Sequence, residues 1–162
     1  MSKHIEQTLV LLKPDAVERG IMGQIIQRFE NAGLKIRGMK MVWIDHEFSK
    51  KHYSAHVEKE FYKSLEEFMT SGPVLAMVVE GIEGVELVRK MVGGTEPKGA
   101  APGTIRGDFS HHSYGYADSK GIAIKNLVHA SGDKDDAKKE VALWFSDDEL
   151  HVYNCVHEKH TK

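Results

Sequence analysis

Hydrophobic positions along the chain alternate between strand-like and helix-like spacing. Gln7 to Leu12 is a short β-rich run that stops at Pro14, which has no amide proton to donate to a sheet. Apolar residues at helical spacing then run from Ile21 to Phe29, and Gly33 follows as a typical C-terminal stop. These segments predict a strand followed by an amphipathic helix.

The middle of the chain continues this alternation. Leu34 to Ile44 predicts a strand, with Gly38 as a bulge where the apolar alternation slips. Phe48 to Thr70 is polar and helical in pattern, and we expect two short helices that join near Lys59. Pro73 to Glu80 is nearly all apolar, which predicts a strand covered on both faces.

The last part of the chain begins with a predicted helix over Val85 to Val92. A long segment rich in glycine and proline then reaches about Lys120 without a core pattern, and we expect it to be a loop. Residues 122–128 predict the last strand, and Asp135 to Phe145 predicts an amphipathic helix. Ser146 opens a capping-box pattern, which predicts a further short helix.

The predicted order is therefore β-α-β, a helical excursion, and a second β-α-β. This order is typical of the α+β, ferredoxin-like split βαβ sandwich, a four-stranded antiparallel sheet with helices on one face. No repeat or linker divides the 162 residues, so we expect a single domain over residues 1–162.

Composition narrows the function classes. The chain is 41% hydrophobic and 28% charged, with a net charge of −2, which argues against bulk nucleic-acid binding but not against a local basic site. Val74 to Val79 is the longest apolar run, too short for a membrane span, and Met1 to His4 shows no signal-peptide core. Cys155 is the single cysteine, which excludes an intrachain disulfide and a cysteine-only zinc site. We expect a cytoplasmic protein with no membrane partner.

The sequence contains neither the P-loop nor the dinucleotide-binding glycine pattern. If the protein binds phosphate groups, side chains or a metal ion must therefore neutralise their charge. Lys13 follows the first strand, Arg89 lies in the helix after the apolar strand, and Arg106 stands in a Gly-Thr-Ile-Arg-Gly-Asp segment. Guanidinium groups and ammonium groups suit phosphoryl oxygens. Taken singly, each of these residue types is far more often a solvated or helix-capping residue than a phosphate ligand.

His129 is a candidate of a different kind. It lies at the end of a predicted strand, after apolar residues. A histidine is neutral and nucleophilic near pH 7, so His129 is a candidate covalent phosphoryl acceptor. The alternative is a partly buried histidine that only closes a strand.

Other histidines and aromatics allow further interpretations. His52 and His56 are spaced i, i+4, but without a recognisable third ligand we interpret them, together with His111-His112, as surface residues and not as a metal site. Tyr53 and Phe61 offer faces on which a nucleobase could stack, although packing in the core is the simpler role for each.

Taken together, these motifs resemble the nucleoside diphosphate kinase family. The resemblance covers about Gln7 to Leu150 and rests on four motifs in order. They are Thr8 to Gly20 (TLVLLKPDAVERG), Ser71 to Val74 (SGPV), Pro102 to Phe109 (PGTIRGDF) and Asn126 to Ser131 (NLVHAS). The family fold is the ferredoxin-like sandwich, in agreement with the predicted strand order.

The resemblance implies a ping-pong reaction in which a nucleoside triphosphate phosphorylates His129 and a nucleoside diphosphate then takes the phosphoryl group. By the family pattern, Phe61 would stack on the base with Leu65 nearby, and Ser131 and Glu140 would orient the histidine ring. The residues expected to contact phosphates or ribose are Lys13, Tyr53, Arg89, Thr95, Arg106 and Asn126.

The resemblance also implies a cofactor and partners. Mg²⁺ would be held mainly by the nucleotide phosphates, with no dedicated protein metal site. The partners would be ribo- and deoxyribonucleoside tri- and diphosphates, with no nucleic acid. The family typically forms homo-oligomers, so a homohexamer is expected, with a tetramer as the alternative.

The chain departs from the family pattern at several places. Ser110 to Gly121 is an insertion, expected to flank the nucleotide cleft, to contact a neighbouring subunit or to be an exposed polar loop. Ala55 and Gly132 replace commonly acidic residues, with Asp133 next in line to compensate for the second, and Glu60 stands where proline often precedes the stacking phenylalanine. The tail over residues 152–162 does not follow the usual ending.

Two further function classes stay open on the sequence. One is a nucleotide-sensing or nucleic-acid-binding protein on the same fold, which the retained His129 and the absence of a basic surface disfavour. The other is a histidine-based metal-binding protein, which would require tight stoichiometric zinc.

Overall fold

A computed structural model describes residues 3–162 and, in this part of the chain, contains one sheet. Met1 and Ser2, which begin the segment expected to contain no signal-peptide core, lie outside the described residues. The strands are β1 (Ile5–Leu12), β2 (Lys35–Val42), β3 (Val74–Ile82) and β4 (Val128–Ala130). They are hydrogen-bonded in the order β2-β3-β1-β4, and each neighbouring pair is antiparallel. This order confirms the predicted ferredoxin-like sheet.

Helices fill the connections between the strands. In chain order they are α1 (Pro14–Glu18), α2 (Met22–Asn31), α3 (His46–His52), α4 (Tyr62–Thr70), α5 (Gly84–Val92), α6 (Ile105–Phe109), α7 (Tyr114–Lys120), α8 (Lys134–Trp144) and α9 (Glu158–Thr161). Short 3-10 helices lie at Ser54–His56, Pro97–Gly99 and Asp147–Glu149. Within the described residues, no helix is long and apolar enough to cross a membrane.

Both faces of the sheet are covered, so the expectation of helices on one face is wrong. Val10 and Leu12 of β1 belong to a core cluster with α2 and α5, whereas Leu9 and Leu11 belong to a second cluster with α4 and α8. Since successive strand residues point to opposite faces, the unbroken apolar run of β1 already required two covered faces. The central strands are therefore rigidly held between two layers of helices.

Several local predictions are confirmed. The pairing of β2 with β3 shifts between Ile36 and Gly38, which is the predicted bulge. A Cβ atom at Gly38 would lie 2.5 Å from the backbone oxygen of Glu149, so the close approach of the chain after α8 explains the glycine. The segment predicted as two short helices forms α3 and α4, with the break before Tyr62. Ser146 forms the predicted capping box.

Two predictions for the segment between α5 and α8 are wrong. The stretch expected to be a loop up to Lys120 contains α6 and α7, each begun by a side chain that caps it, from Thr104 and Ser113 respectively. The strand expected over residues 122–128 lies instead at Val128–Ala130, and the two ranges share only Val128. Leu127 has a positive φ of 67°, which breaks an extended backbone just before β4.

The C-terminal tail lies along the edge strand β2. The amide of His151 donates to the carbonyl of Arg37 at 2.8 Å, and Tyr153 Oη donates to the carbonyl of Ile36 at 2.7 Å. Lys162 Nζ lies 2.9 Å from Glu80 Oε1. These contacts fix the tail on the sheet although its sequence departs from the family ending.

Candidate active site

His129 is the middle residue of β4 and faces a carboxylate from α8. Its Nε2 lies 3.0 Å from both carboxylate oxygens of Glu140, and Ser131 Oγ donates to Glu140 Oε2 at 2.6 Å. Ser131 is fully buried, and its Oγ in turn accepts the amide of Leu9 in β1 at 3.2 Å. A carboxylate at Nε2 keeps the proton on that nitrogen, so the Nδ1 lone pair is available for attack.

Glu140 is an ionised partner in this arrangement. Burial disfavours its charge, but hydrogen bonds from His129 and Ser131 outweigh burial and lower the pKa of Glu140. A negative charge is therefore fixed beside the imidazole ring at neutral pH. Such a charge orients the ring and stabilises any positive charge that develops on it.

The chain reaches β4 through a strained turn. The amide of Val128 donates to the carbonyl of Asn126 at 2.7 Å, and with the positive φ of Leu127 between them this is a γ-turn of the rare, strained type. Asp15 Oδ2 accepts the amide of Leu127 at 3.1 Å, and the amide of Lys13 donates to the carbonyl of Leu127 at 2.8 Å. The start of α1 thus holds the turn that places His129.

Two buried cations lie beside this turn. Lys13 Nζ donates to Asn126 Oδ1 at 2.8 Å. Burial is the main cause that lowers the pKa of Lys13 to about 8, and the nearby charge of Arg106 is the second cause. The negative charge of Asp15 acts in the opposite direction. The Arg106 guanidinium donates to the carbonyls of Asn126 at 3.1 Å and Val128 at 2.6 Å, which fixes the backbone on either side of the turn. Burial, with Arg89 as the second cause, lowers the pKa of Arg106 to about 10, so it stays charged at neutral pH.

A cavity of about 600 Å³ opens in front of His129. It brings together all the residues that the resemblance assigns to phosphate, ribose and the nucleophile. They are Lys13, Tyr53, Arg89, Thr95, Arg106, Asn126 and His129. Three of them are cationic, which suits an anionic ligand. Arg89 is exposed, and the Thr95 carbonyl accepts Asn126 Nδ2 at 2.9 Å.

A second cavity of about 800 Å³ joins the first one, and Phe61 and Leu65 line it. The two cavities share several lining residues, among them Lys13, Tyr53 and His129. Phe61 is 52% exposed, so a large aromatic face is offered to the cavity and not to the core. The chain therefore provides an elongated cleft with a cationic end and an apolar end, and the nucleophile candidate lies between them.

His52 is not the surface residue expected from the sequence. Its ring centroid is 4.7 Å from that of His129, and its Nδ1 accepts Trp144 Nε1–H at 3.2 Å. Burial, with the nearby His129 as the second cause, lowers the pKa of His52 to about 3, so the ring is neutral. His52 is buried because Trp144 from α8, which is far away in the sequence, packs against it. The residues next to His52 in the sequence therefore do not indicate that it is buried.

His52, His129 and Glu140 each place a potential ligand atom within 4.8 Å of the others. His52 is a poor metal ligand, because Nδ1 is occupied by Trp144 and the neutral ring then carries its proton on Nε2. Among the described residues, neither His52 Nε2 nor the buried hydroxyl of Tyr53 has a hydrogen-bond partner. Burial raises the pKa of Tyr53, so its hydroxyl keeps its proton and is available to donate to a ligand.

The sequence departures lie around this cleft. Ala55 and Gly132 line the first cavity, and Glu60 lines the second. A Cβ atom at Gly132 would lie 2.7 Å from Asp136 Oδ2, so a larger residue there would have to displace that carboxylate. Asp133 caps the start of α8, because its side chain accepts the amide of Asp136 at 2.8 Å.

Some cleft residues were not found from the sequence. Asp15, which holds the Leu127 turn, was noticed only as part of a motif, and His56, which lines both cavities, was interpreted as a surface residue. The insertion, for which a position beside the cleft was one of the expected alternatives, contributes lining residues that were not named individually, including Tyr114 and Ala117. A hydrophobic pattern does not reveal them, because they serve the cleft and not the core.

Comparisons with known proteins agree on one family. The family model described as nucleoside diphosphate kinase matches residues 6–150. The nucleoside diphosphate kinase of Pyrococcus abyssi is 55% identical over 148 residues, which cover 91% of this chain and 89% of the relative. That of Borreliella burgdorferi is 46% identical over 163 residues, covering 94% and 97%.

Solved structures give the same result. A transition-state mimic of the nucleoside-diphosphate kinase from Borrelia burgdorferi with bound vanadate and ADP superposes with a TM-score of 0.95 at 44% identity, covering 99% of this chain and 98% of that one. A halophilic nucleoside diphosphate kinase from Halobacterium salinarum in complex with CDP gives a TM-score of 0.86 at 42% identity, covering 96% and 97%.

Proposed function

The chain belongs to the nucleoside diphosphate kinase family and is a phosphotransferase, and from this premise we propose that the transfer passes through a phosphohistidine on His129. The observation that supports this proposal best is the geometry of the ring. Glu140 lies at Nε2, Nδ1 is left for attack, and the ring faces the junction of the two cavities. A buried structural histidine would not need an ionised partner and an open cleft together.

In the proposed reaction the Nδ1 lone pair of His129 attacks the terminal phosphorus of a nucleoside triphosphate. The bond from that phosphorus to the bridging oxygen breaks, and the nucleoside diphosphate leaves with the electron pair. A second nucleoside diphosphate then attacks the phosphorus through a terminal oxygen, and the P–N bond breaks to restore neutral His129. The chain mainly positions these groups and stabilises their charge.

The proposed roles of the other residues follow their positions. Lys13, Arg89 and Arg106 place positive charge where phosphates would lie, and Tyr53 offers an unpartnered hydroxyl beside them. Thr95 and Asn126 lie between the two cavities, in reach of phosphate or ribose.

At the other end of the cleft, Phe61 provides a stacking face for the base, with Leu65 beside it. Ser131 and Glu140 act through His129 and need not touch the nucleotide.

We propose Mg²⁺ as the divalent ion, held mainly by nucleotide phosphates. Of the two carboxylates in the lining of the first cavity, Glu140 already accepts hydrogen bonds from His129 and Ser131, and Asp136 is exposed. The lining therefore fits a cation that arrives with the substrate better than one held by the protein. When bound, Mg²⁺ would neutralise charge on the phosphates.

We propose nucleoside di- and triphosphates of both sugars and of several bases as substrates. The relatives with bound ADP and with bound CDP carry a purine and a pyrimidine nucleotide respectively. Stacking on Phe61, without a hydrogen-bond pattern for one base, would account for such tolerance.

We also propose a homo-oligomer, a hexamer with a tetramer as the alternative. The edge strand β2 and the residue after it expose large apolar side chains, namely Met39, Met41 and Trp43. Exposed edges with apolar side chains are commonly covered by another chain. The cytoplasmic location predicted from the sequence stays a proposal.

The experiment that tests the function is intact mass after a brief incubation with Mg-ATP. We expect a gain of one phosphoryl group that mild acid removes and that Mg-CDP discharges at neutral pH. His129→Ala should show no gain while it still binds ADP, as measured by calorimetry. A phosphoryl group retained in His129→Ala, or none in the unmodified chain, would contradict the proposal.

A further inference from the structure

Trp144 belongs to α8, the helix that also carries Glu140. It is 3% exposed and is not among the residues that line either cavity. Its indole packs on Phe48 with ring centroids 4.8 Å apart, and its Nε1–H donates to His52 Nδ1 at 3.2 Å. Trp144 therefore contacts the site from the core side, through His52, and not through the cleft.

The bond from Trp144 orients the ring of His52. Among the described residues, His52 Nε2 has no hydrogen-bond partner, so the indole N–H sets which way the ring faces. Because Nδ1 accepts that bond, the proton of the neutral ring is on Nε2. The His52 side chain thus has a fixed tautomer as well as a fixed plane.

His52 in turn packs on the ring of His129. The two ring centroids are 4.7 Å apart, and the ring planes are nearly perpendicular at 83°. Rotation of a histidine ring about its bond to Cβ is soft, with a broad distribution of angles. Glu140 holds one edge of the His129 ring, because both carboxylate oxygens lie 3.0 Å from Nε2. A second ring at right angles to it restricts the remaining rotation.

We infer that Trp144 is a positioning residue for the phosphorylation of His129: through its bond to His52 it fixes the plane of the His129 ring, with Nδ1 directed at the cavity. The inference rests on the proposed function, since it concerns the attack by Nδ1. Glu140 and Trp144 lie one turn apart on α8, so one helix holds His129 directly at Nε2 and indirectly through His52. A misplacement by about 1 Å can cost about 100-fold in rate, so small rotations of the ring matter.

The test is a double-mutant cycle on the rate of phosphohistidine formation in the full-length protein, measured by rapid quench at saturating Mg-ATP. Trp144→Phe keeps an aromatic ring against Phe48 but removes the N–H, and we expect it to slow the reaction about 5- to 10-fold. His52→Leu removes the ring that contacts His129 and should slow the reaction about 10- to 30-fold. In the His52→Leu chain, the further change Trp144→Phe should cost about 2-fold at most, because Trp144 then has no ring through which to act.

A merely structural role of Trp144 would give a different result. If Trp144 acts only by packing α8 and thereby placing Glu140, then Trp144→Phe slows the reaction by the same factor in both backgrounds, and the inference is wrong. The affinity for Mg-ADP, measured by titration calorimetry, should stay within about 2-fold in every variant, because the phosphate and base contacts proposed above belong to other residues. A loss of affinity equal to the loss of rate would mean that these side chains serve nucleotide binding, and it would also overturn the inference.

Trp43→Phe is the matched control, because it removes the same kind of N–H outside the site. Trp43 is 67% exposed and donates to the carbonyl of Thr70 at 2.8 Å. We expect the rate of this variant to stay within about 2-fold of the unmodified chain.

Urea titrations show whether each variant is folded. If Trp144→Phe does not fold, His52→Leu decides alone: a loss of about 10-fold or more in rate at unchanged Mg-ADP affinity supports the inference, and a rate within about 2-fold of the unmodified chain overturns it. If the unmodified chain gains no phosphoryl group, the proposed function is wrong, and this inference falls with it.

Discussion

Replacement of Glu140 by glutamine tests whether its negative charge assists the proposed attack of His129. When Nδ1 bonds to phosphorus while Nε2 keeps its proton, the ring acquires a positive charge. Glu140 lies 3.0 Å from Nε2 and is held in place by Ser131. Glutamine fills nearly the same space and keeps an oxygen to accept from Nε2, so the substitution removes mainly the charge.

The size of the effect follows from the distance and the burial. Unit charges about 4 Å apart attract by about 4 kcal/mol at an effective dielectric constant of about 20. The retained hydrogen bond offsets part of this loss, because a neutral hydrogen bond is about half as strong as a charge-assisted one. We expect a net loss of about 1.5–3 kcal/mol, a decrease of about 10- to 100-fold in the rate of phosphoenzyme formation.

The assay is a rapid-quench measurement of phosphohistidine formation at saturating Mg-ATP, with ADP affinity measured separately by calorimetry. Asp135→Asn is the control, because it removes one negative charge from the exposed first turn of the same helix. We expect that variant to react at the unmodified rate. If Glu140→Gln phosphorylates within 2-fold of the unmodified chain at unchanged ADP affinity, the electrostatic reasoning is refuted.

Three other perturbations give measurable outcomes. Because burial lowers the pKa of Lys13 from 10.5 to about 8, kcat/KM should fall as pH rises through about 8. Between pH 8 and 10.5 the Lys13 side chain binds more protons in the unfolded chain than in the folded one. The contribution of Lys13 to the free energy of unfolding should therefore increase as the pH rises through this range, which denaturant titrations measure. Ser131→Ala should lower the free energy of unfolding by about 1–3 kcal/mol in urea titrations, since the buried amide of Leu9 loses its acceptor. Phe61→Ala should raise the KM for nucleoside diphosphates about 10-fold with little change in kcat, and an unchanged KM would argue against stacking on this residue.

The two central strands, β1 and β3, were predictable because they lie in the core. The apolar runs of β1 and β3 reflect packing on both faces, and such burial is visible in any single sequence. The same runs also contained the information that both faces are covered, which the one-face prediction did not use. The motif residues were found through the family resemblance, and three of its four motifs contribute residues to the cleft.

What the sequence did not reveal depends on contacts between distant segments. His52 looks like a surface residue until Trp144 packs against it. Leu127 shows no turn signal, because leucine rarely adopts a positive φ and the conformation is imposed by Asp15 and Lys13. The helix α7 has too few apolar positions to show a helical pattern, since its buried side is little more than Ala117.

The strained turn at Leu127 also bears on how this chain would respond to selection in the laboratory. A leucine held in this conformation costs of order 1–3 kcal/mol, and buried partners keep it there. Selection for heat resistance alone rewards any substitution that lets the backbone relax, whatever happens to the histidine two residues later. Libraries screened by melting temperature should therefore yield well-folded, inactive variants with changes near Asp15 and Leu127, unless turnover is selected in the same round.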